Sequence, residues 1–235
     1  MKINCAWEHN GDSTLLYAVE QVGAYARGRS LTEALDKLPD EIGRYCRWLG
    51  QPAPASIEPA VCQEKVSSLT VSDADSDIIL DCERLPLCED EYRALKRLVL
   101  RSAADFGALY QSIPDKTHSS LPARETFYGP VPRTAAEMYE HTKNVNAYYF
   151  GELGLEADNG GTILECRQRG FDMLEQTAGF LTAPPRVGSY DEIWSLRKVL
   201  RRFIWHDRIH ARAMYRLARA AFPSAVLADP FFFGV

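Results

Sequence analysis

The period of the apolar residues changes once along this chain, near residue 84, and that change limits its fold more than any other feature. Before it, apolar and polar side chains alternate, as in Ile3, Cys5 and Trp7 and again in Leu15, Tyr17 and Val19. Successive side chains of a strand point to opposite faces, so each set gives a strand with one apolar face. A short strand is expected at Ala24 to Arg27. Ser30 and Glu33 then have capping-box spacing, and the helix they open runs through Leu31, Leu35, Leu38, Ile42, Tyr45 and Leu49 until Gly50 and Pro52 stop it. Gln51 to Pro59 reads as a loop, and two further strands are expected at Val66 to Val71 and Ile78 to Cys82, on either side of the turn-like SDADSD.

Beyond Cys88 the period is helical. Tyr92, Leu95, Val99, Ser102, Phe106, Leu109 and Ile113 keep strict 3,4 spacing, which lays an apolar seam along one face. A loop rich in Pro, Ser and Gly leads to Arg133. Thr134 and Glu137 form a second capping box, followed by the seam Met138, His141, Val145 and Tyr148, with Gly154 ending the helix. A third helix is expected from Ile163 to Leu181, with the seam Leu164, Arg167, Phe171, Leu174, Ala178 and Leu181, closed by Pro184 and Pro185. A fourth starts after Ser195 and carries Leu196, Val199, Phe203, His206, His210, Ala213 and Leu217. Four amphipathic helices of this length form a bundle. The expected fold class is α+β, with a small α/β unit over residues 1–83 and an all-α bundle with a C-terminal tail over residues 84–235. At about 150 residues per domain, 235 residues agree with one to two domains.

No apolar run approaches the roughly 18 residues of a spanning helix, and the start MKINCAWEHNGD has neither a basic region nor an apolar stretch. Both argue against membrane insertion and secretion, so a cytoplasmic location is expected. The six cysteines, at positions 5, 46, 62, 82, 88 and 166, form no CxxC pair and read as reduced thiols. Between Trp194 and Phe222 there are eight Lys/Arg and one acid, although the whole chain has a net charge of −5. The basic stripe Arg197, Arg201, Arg208, Arg212, Arg216 and Arg219 reads first as a solvated helix face pairing with the acidic N-terminal half, next as a subunit interface. Nucleic acid ranks last, because no reading motif accompanies the stripe. The tail Phe231, Phe232 and Phe233 is expected to pack on its own domain or on a second copy in a homodimer.

Three of the five histidines occupy seam positions. His206 and His210 are four residues apart, which on a helix is a rotation of about 40° and a rise of about 6 Å, so both imidazoles share a face. His141 lies on the seam of another helix. Three neutral imidazoles in an apolar bundle cost about 1–3 kcal/mol each if left without partners. One divalent cation satisfies all three and keeps positions for water or substrate, as catalytic zinc sites do. Zinc is expected first, with nickel or iron as alternatives. Glu137 and Glu152 are candidates to orient a ligand imidazole, against the commoner role of a solvated carboxylate. Tyr148 and Tyr149 either line the pocket or pack in the core. Arg167 either grips a substrate carboxylate or, if the seam is Ile163, Cys166, Gly170 and Leu174, faces water; Cys166 then reads as a buried, inert thiol.

The segments EMYEHTKNVNAYYFGEL and WSLRKVLRRFIWHDRIHARAMYRLA resemble the DinB/YfiT-like superfamily of metal-dependent four-helix bundles over about residues 88–222. The resemblance implies a divalent metal held by His141, His206 and His210, and an activity among thiol-dependent transferases, isomerases or hydrolases that use a low-molecular-weight thiol. The stretch QVGAYARGRSLTEALDKLPDEIGRYCRWL resembles the HicB-like antitoxin domain, a small partial RNase-H-like unit. No ribbon-helix-helix or helix-turn-helix segment accompanies it, so a toxin partner is not expected, and a docking or dimerisation module is. Two functions follow: a metal-dependent enzyme acting on a small molecule through a thiol, or a non-catalytic metal-containing protein that docks a partner through its N-terminal unit.

Overall fold

Strands β1 (Lys2–His9), β2 (Thr14–Ala18), β3 (Tyr25–Gly28) and β4 (Glu58–Val66) form one mixed sheet in the order β3-β2-β1-β4. β1 pairs antiparallel with β2, with Trp7 opposite Leu16, and parallel with β4, with Ile3 opposite Pro59. The computed structural model describes residues 1–126 and 129–234; residues 127 and 128 of the expected Pro/Ser/Gly loop, and residue 235 of the tail, lie outside it. Helix α1 (Leu31–Trp48) starts where Ser30 Oγ accepts from Glu33 N. It covers one sheet face, Leu38 and Ile42 joining Ile3, Cys5, Leu16 and Ala26 in the core.

Helices α2 (Glu89–Ser112), α3 (Ala135–Gly151), α4 (Ile163–Glu175) and α5 (Leu196–Ala221) pack as a bundle, so the protein is α+β, with five α-helices among the described residues. Two short hairpins complete it: β5 (Glu125–Thr126) with β6 (Gly129–Pro130), and β7 (Arg186–Val187) with β8 (Ile193–Trp194). The second sheet face lies on α5: Trp205 and Ile209 pack with Ala6, Leu15, Tyr17 and Tyr25. This explains why every residue of β2 is buried, where alternation predicts a single apolar face. Burying a large side chain such as Trp205 contributes about 1.5–3 kcal/mol.

The expected strands Val66 to Val71 and Ile78 to Cys82 do not form, and part of the expected loop Gln51 to Pro59 is instead the start of β4. Val71, Ile78 and Leu80 are apolar because their segment seals the second sheet face as irregular chain. Its N–H groups find partners outside a ladder: buried Glu8 accepts from Asp77 N at 2.9 Å and Ile78 N at 3.2 Å, and from the Ser76 hydroxyl at 2.6 Å, while Glu83 accepts from Leu80 N at 2.8 Å. The third bundle helix ends at Glu175, not Leu181; Gly179, at φ +71°, turns the chain into a 3-10 turn that sets Phe180 edge-on to Tyr92, with ring centroids 5.0 Å apart.

The basic stripe is a solvated face only at its end: Arg216 and Arg219 are exposed, while Arg201 and Arg208 are buried and meet acids of the N-terminal half, as the first reading expected. Enclosed between sheet and bundle, α5 buries Lys198, Arg201, Arg202 and Arg208, which brings carboxylates inward to meet them. Lys198 pairs with Glu192 at 2.7 Å, Arg201 with Glu83 at 2.5 Å and Arg208 with Glu41 at 2.7 Å, and Arg212 also reaches Glu41. The Phe231 ring packs 5.3 Å from Trp48 of α1, so the tail reaches the N-terminal part of the same chain. One continuous apolar core runs from Ile3 to Phe231.

Candidate metal centre

Two capped helices carry the histidines. At the start of α3, Thr134 Oγ1 accepts from Glu137 N at 3.0 Å, while the Glu137 carboxylate accepts from the backbone N–H of Arg133 at 2.6 Å and of Thr134 at 3.3 Å. His141 follows one turn later. Ser195 Oγ caps α5 by accepting from Lys198 N at 3.1 Å, and His206 and His210 lie three and four turns into that helix, on the face toward α3. Ring centroids are 5.1 Å apart for His141 and His206, 4.6 Å for His141 and His210, and 4.4 Å for His206 and His210. One ring nitrogen from each lies within 4.8 Å of the other two. Three nitrogens bound tetrahedrally at about 2.0–2.1 Å stand about 3.3 Å apart, so modest side-chain rotations close the set.

The electrostatics suit a ligand role. Burial pushes all three imidazoles below the ordinary histidine range, His210 down to about 3, and at His206 the neighbouring His210 and His141 and the cations Arg202 and Arg167 act in the same direction. Neutral rings offer lone pairs at neutral pH. His206 Nδ1 is buried without a hydrogen-bond partner among the described residues, a cost that a cation at this position removes. The set of residues therefore fits a divalent ion held by nitrogen. Neither a cysteine nor a carboxylate joins the cluster among the described residues. The other two histidines are accounted for elsewhere: His9 meets Glu64 and stacks on Trp7, and His118 packs against Phe222.

His141 also borders a cleft of about 690 Å³, walled by Arg124, Pro130, Val131, Arg133, Glu137 and Glu140. Of the three histidines, His141 is the one in its wall. The remaining expected residues have other tasks. Glu137 lines the cleft, but its carboxylate serves as a helix cap. Glu152, eleven residues past His141 and so about 16 Å along the helix, accepts from Ser189 N at 3.1 Å. Tyr148 lies edge-on to Trp194 with centroids 5.8 Å apart, whereas Tyr149 reaches the histidines, edge-on to His206 at 6.1 Å.

Arg167 faces neither water nor the cleft. The α4 seam is Ile163, Cys166, Gly170 and Leu174, with Leu164 exposed, and Arg167 is buried beside it, paired with Asp207 at 2.6 Å and lying 4.1 Å from the Phe203 ring. Cys166 is buried, its thiol donating to Ile163 O at 3.4 Å and pushed up by burial. Sequence reasoning missed Arg202, one turn before His206, although its i,i+4 spacing to His206 and i,i+8 spacing to His210 were there to see. It also missed Asp207, the inward acid of α5. No family model matches this chain, and neither a curated protein nor a solved structure matches it.

Proposed function

We propose that this is a DinB-like divalent-metal protein in which His141, His206 and His210 hold one ion, zinc first and nickel or iron next, and which acts as a thiol-dependent transferase, isomerase or hydrolase. The observation that carries the reading is the convergence of three neutral imidazoles, His206 buried and His141 and His210 half-buried, from two helices within 4.8 Å, with no competing partner for His206 Nδ1. A divalent ion on three neutral nitrogens lowers the pKa of a bound water or thiol by several units and supplies a nucleophile near neutral pH. The protein's own part is to hold the imidazoles neutral, to keep Tyr149 packed against His206, and to admit substrate along the cleft at His141.

In this reading residues 84–235 are the metal-binding unit. Residues 1–83, HicB-like in pattern, serve as its covering wall, since their sheet lies directly on α5. Among the described residues no helix is long and apolar enough to cross a membrane.

Zinc titration against a chromophoric chelator tests the proposal. One ion per chain is expected for the wild type, with His141→Ala and His210→Ala each weakening binding by about 100-fold or more, since loss of a ligand exceeds the 10–100-fold cost of losing a group that only supports one. Low-molecular-weight thiols should raise the melting temperature of the zinc form and leave the metal-free form unchanged. Equal zinc affinity in wild type and variants would overturn the reading.

A further inference from the structure

The cations of α5 follow a rule with one exception inside the core. Lys198, Arg201, Arg208 and Arg212 each meet a carboxylate. Arg202, only 8 % exposed, meets none within ion-pair distance among the described residues; its Nη1 donates to Ser76 O at 2.9 Å and its Nε has no acceptor. Three rings box it: Trp205 at 4.9 Å from the guanidinium carbon, and Tyr149 and Trp194 at 5.7 Å. The indole N–H groups of Trp194 and Trp205 are themselves buried without acceptors.

The neighbouring acids are engaged elsewhere. Glu192 belongs to Lys198, and Glu8 accepts from Ser76, Asp77 and Ile78. Asp75 is within range of the Arg202 charge but outside ion-pair distance, and burial together with Asp73 pushes its carboxyl upward. The guanidinium charge is supported by the Tyr149 hydroxyl and by Glu192 and Glu8 in range, yet Arg202 Nε and the two indole N–H groups beside it remain buried donors without acceptors, which an anion's oxygens would satisfy.

Arg202, His206 and His210 lie on one face of α5, each one turn apart. The Tyr149 ring touches both the arginine and His206. Arg202 and His206 are each 8 % exposed. We propose that the ligand of the metal centre carries a carboxylate, which Arg202 receives with the indole N–H groups of Trp194 and Trp205 while the ligand's head group meets the ion. The inference rests on the metal reading above and adds the charge and size of the ligand. The rise of about 6 Å per four residues separates the two subsites by the length of a two- or three-carbon chain.

Cobalt(II)-loaded full-length protein offers the test, because its visible absorption reports on ligands entering the metal's shell. The probes are 3-mercaptopropionate and its neutral amide, 3-mercaptopropionamide. The acid is expected to bind at least about tenfold more tightly than the amide in the wild type, and the two to bind within about threefold of each other in Arg202→Met. Arg202→Lys, which keeps the charge and loses the fork, should fall between and serves if the methionine variant does not fold. Equal binding of acid and amide by the wild type, or a preference that persists in both variants, overturns the inference and leaves the metal reading intact. A chain that takes up no cobalt removes both.

Discussion

Glu41→Leu is expected to destabilise the protein by about 3–5 kcal/mol, the cost of breaking a buried ion pair from one side, and so to lower the melting temperature by about 6–20 °C for a chain of this size. Glu41 is 1 % exposed and serves two guanidinium groups, Arg208 at 2.7 Å and Arg212 on the next turn. Arg208 is wholly buried against the rings of Trp48 and Tyr45, and its Nε and Nη1 have no acceptor even in the intact protein. Removing Glu41 leaves that charge with neither water nor a counter-ion. Replacing both sides, Glu41→Leu with Arg208→Met, should restore more than half of the loss, because an apolar pair no longer carries a buried charge. Chemical denaturation of the single and double variants reads this directly. A single variant within about 1 kcal/mol of the wild type would show that α1 does not hold α5 through this pair.

Gly23→Ala should cost about 2–6 kcal/mol, the sum of two separate penalties. Gly23 sits at φ +89° in the turn between β2 and β3, where a side chain strains the backbone. A Cβ there would also stand 2.3 Å from Ile204 Cγ2 and 2.8 Å from Ile204 Cβ. Ile204 is fully buried on α5, two residues before His206, so relief of the clash lifts the sheet from the helix that carries two of the three imidazoles. Gly11→Ala separates the penalties: its φ is +92°, and nothing lies within 4 Å of its added Cβ. Thermal denaturation should show a much smaller loss for Gly11→Ala. Equal losses would mean that the sheet gives way without strain.

The helices were the most legible part of this fold. Spacing of three and four, with Ser or Thr caps at Thr134 and Ser195, marks α3 and α5 closely, because a helix's pattern and its caps are both local. β4 was illegible for a physical reason. It is an edge strand with Pro59 as its second residue and faces largely in water, so the sequence EPAVCQEKV shows no apolar alternation. Val71, Ile78 and Leu80 misled in the opposite direction: they are buried, but on a segment whose N–H groups bond to the carboxylates of Glu8 and Glu83 and to a nearby carbonyl rather than to a neighbouring strand. The basic stripe was half legible: its pairing with N-terminal acids holds and Arg216 and Arg219 are exposed, but charge along one helix says nothing about what encloses it, and at Arg201 and Arg208 α5 is enclosed on both sides. At the metal centre, the four-residue spacing of His206 and His210 was readable from helix geometry alone. The meeting of His141 with them depends on how α3 packs on α5, which no local pattern encodes.

X-ray absorption at the zinc edge of the loaded full-length protein, set beside its metal content, tests the central claim most directly. We predict one zinc per chain, with about three nitrogen scatterers at 2.0–2.1 Å and a fourth light ligand, and the loss of that signal in His206→Ala. A sulfur-dominated shell at about 2.3 Å, or zinc content that is unchanged in His206→Ala, would contradict it.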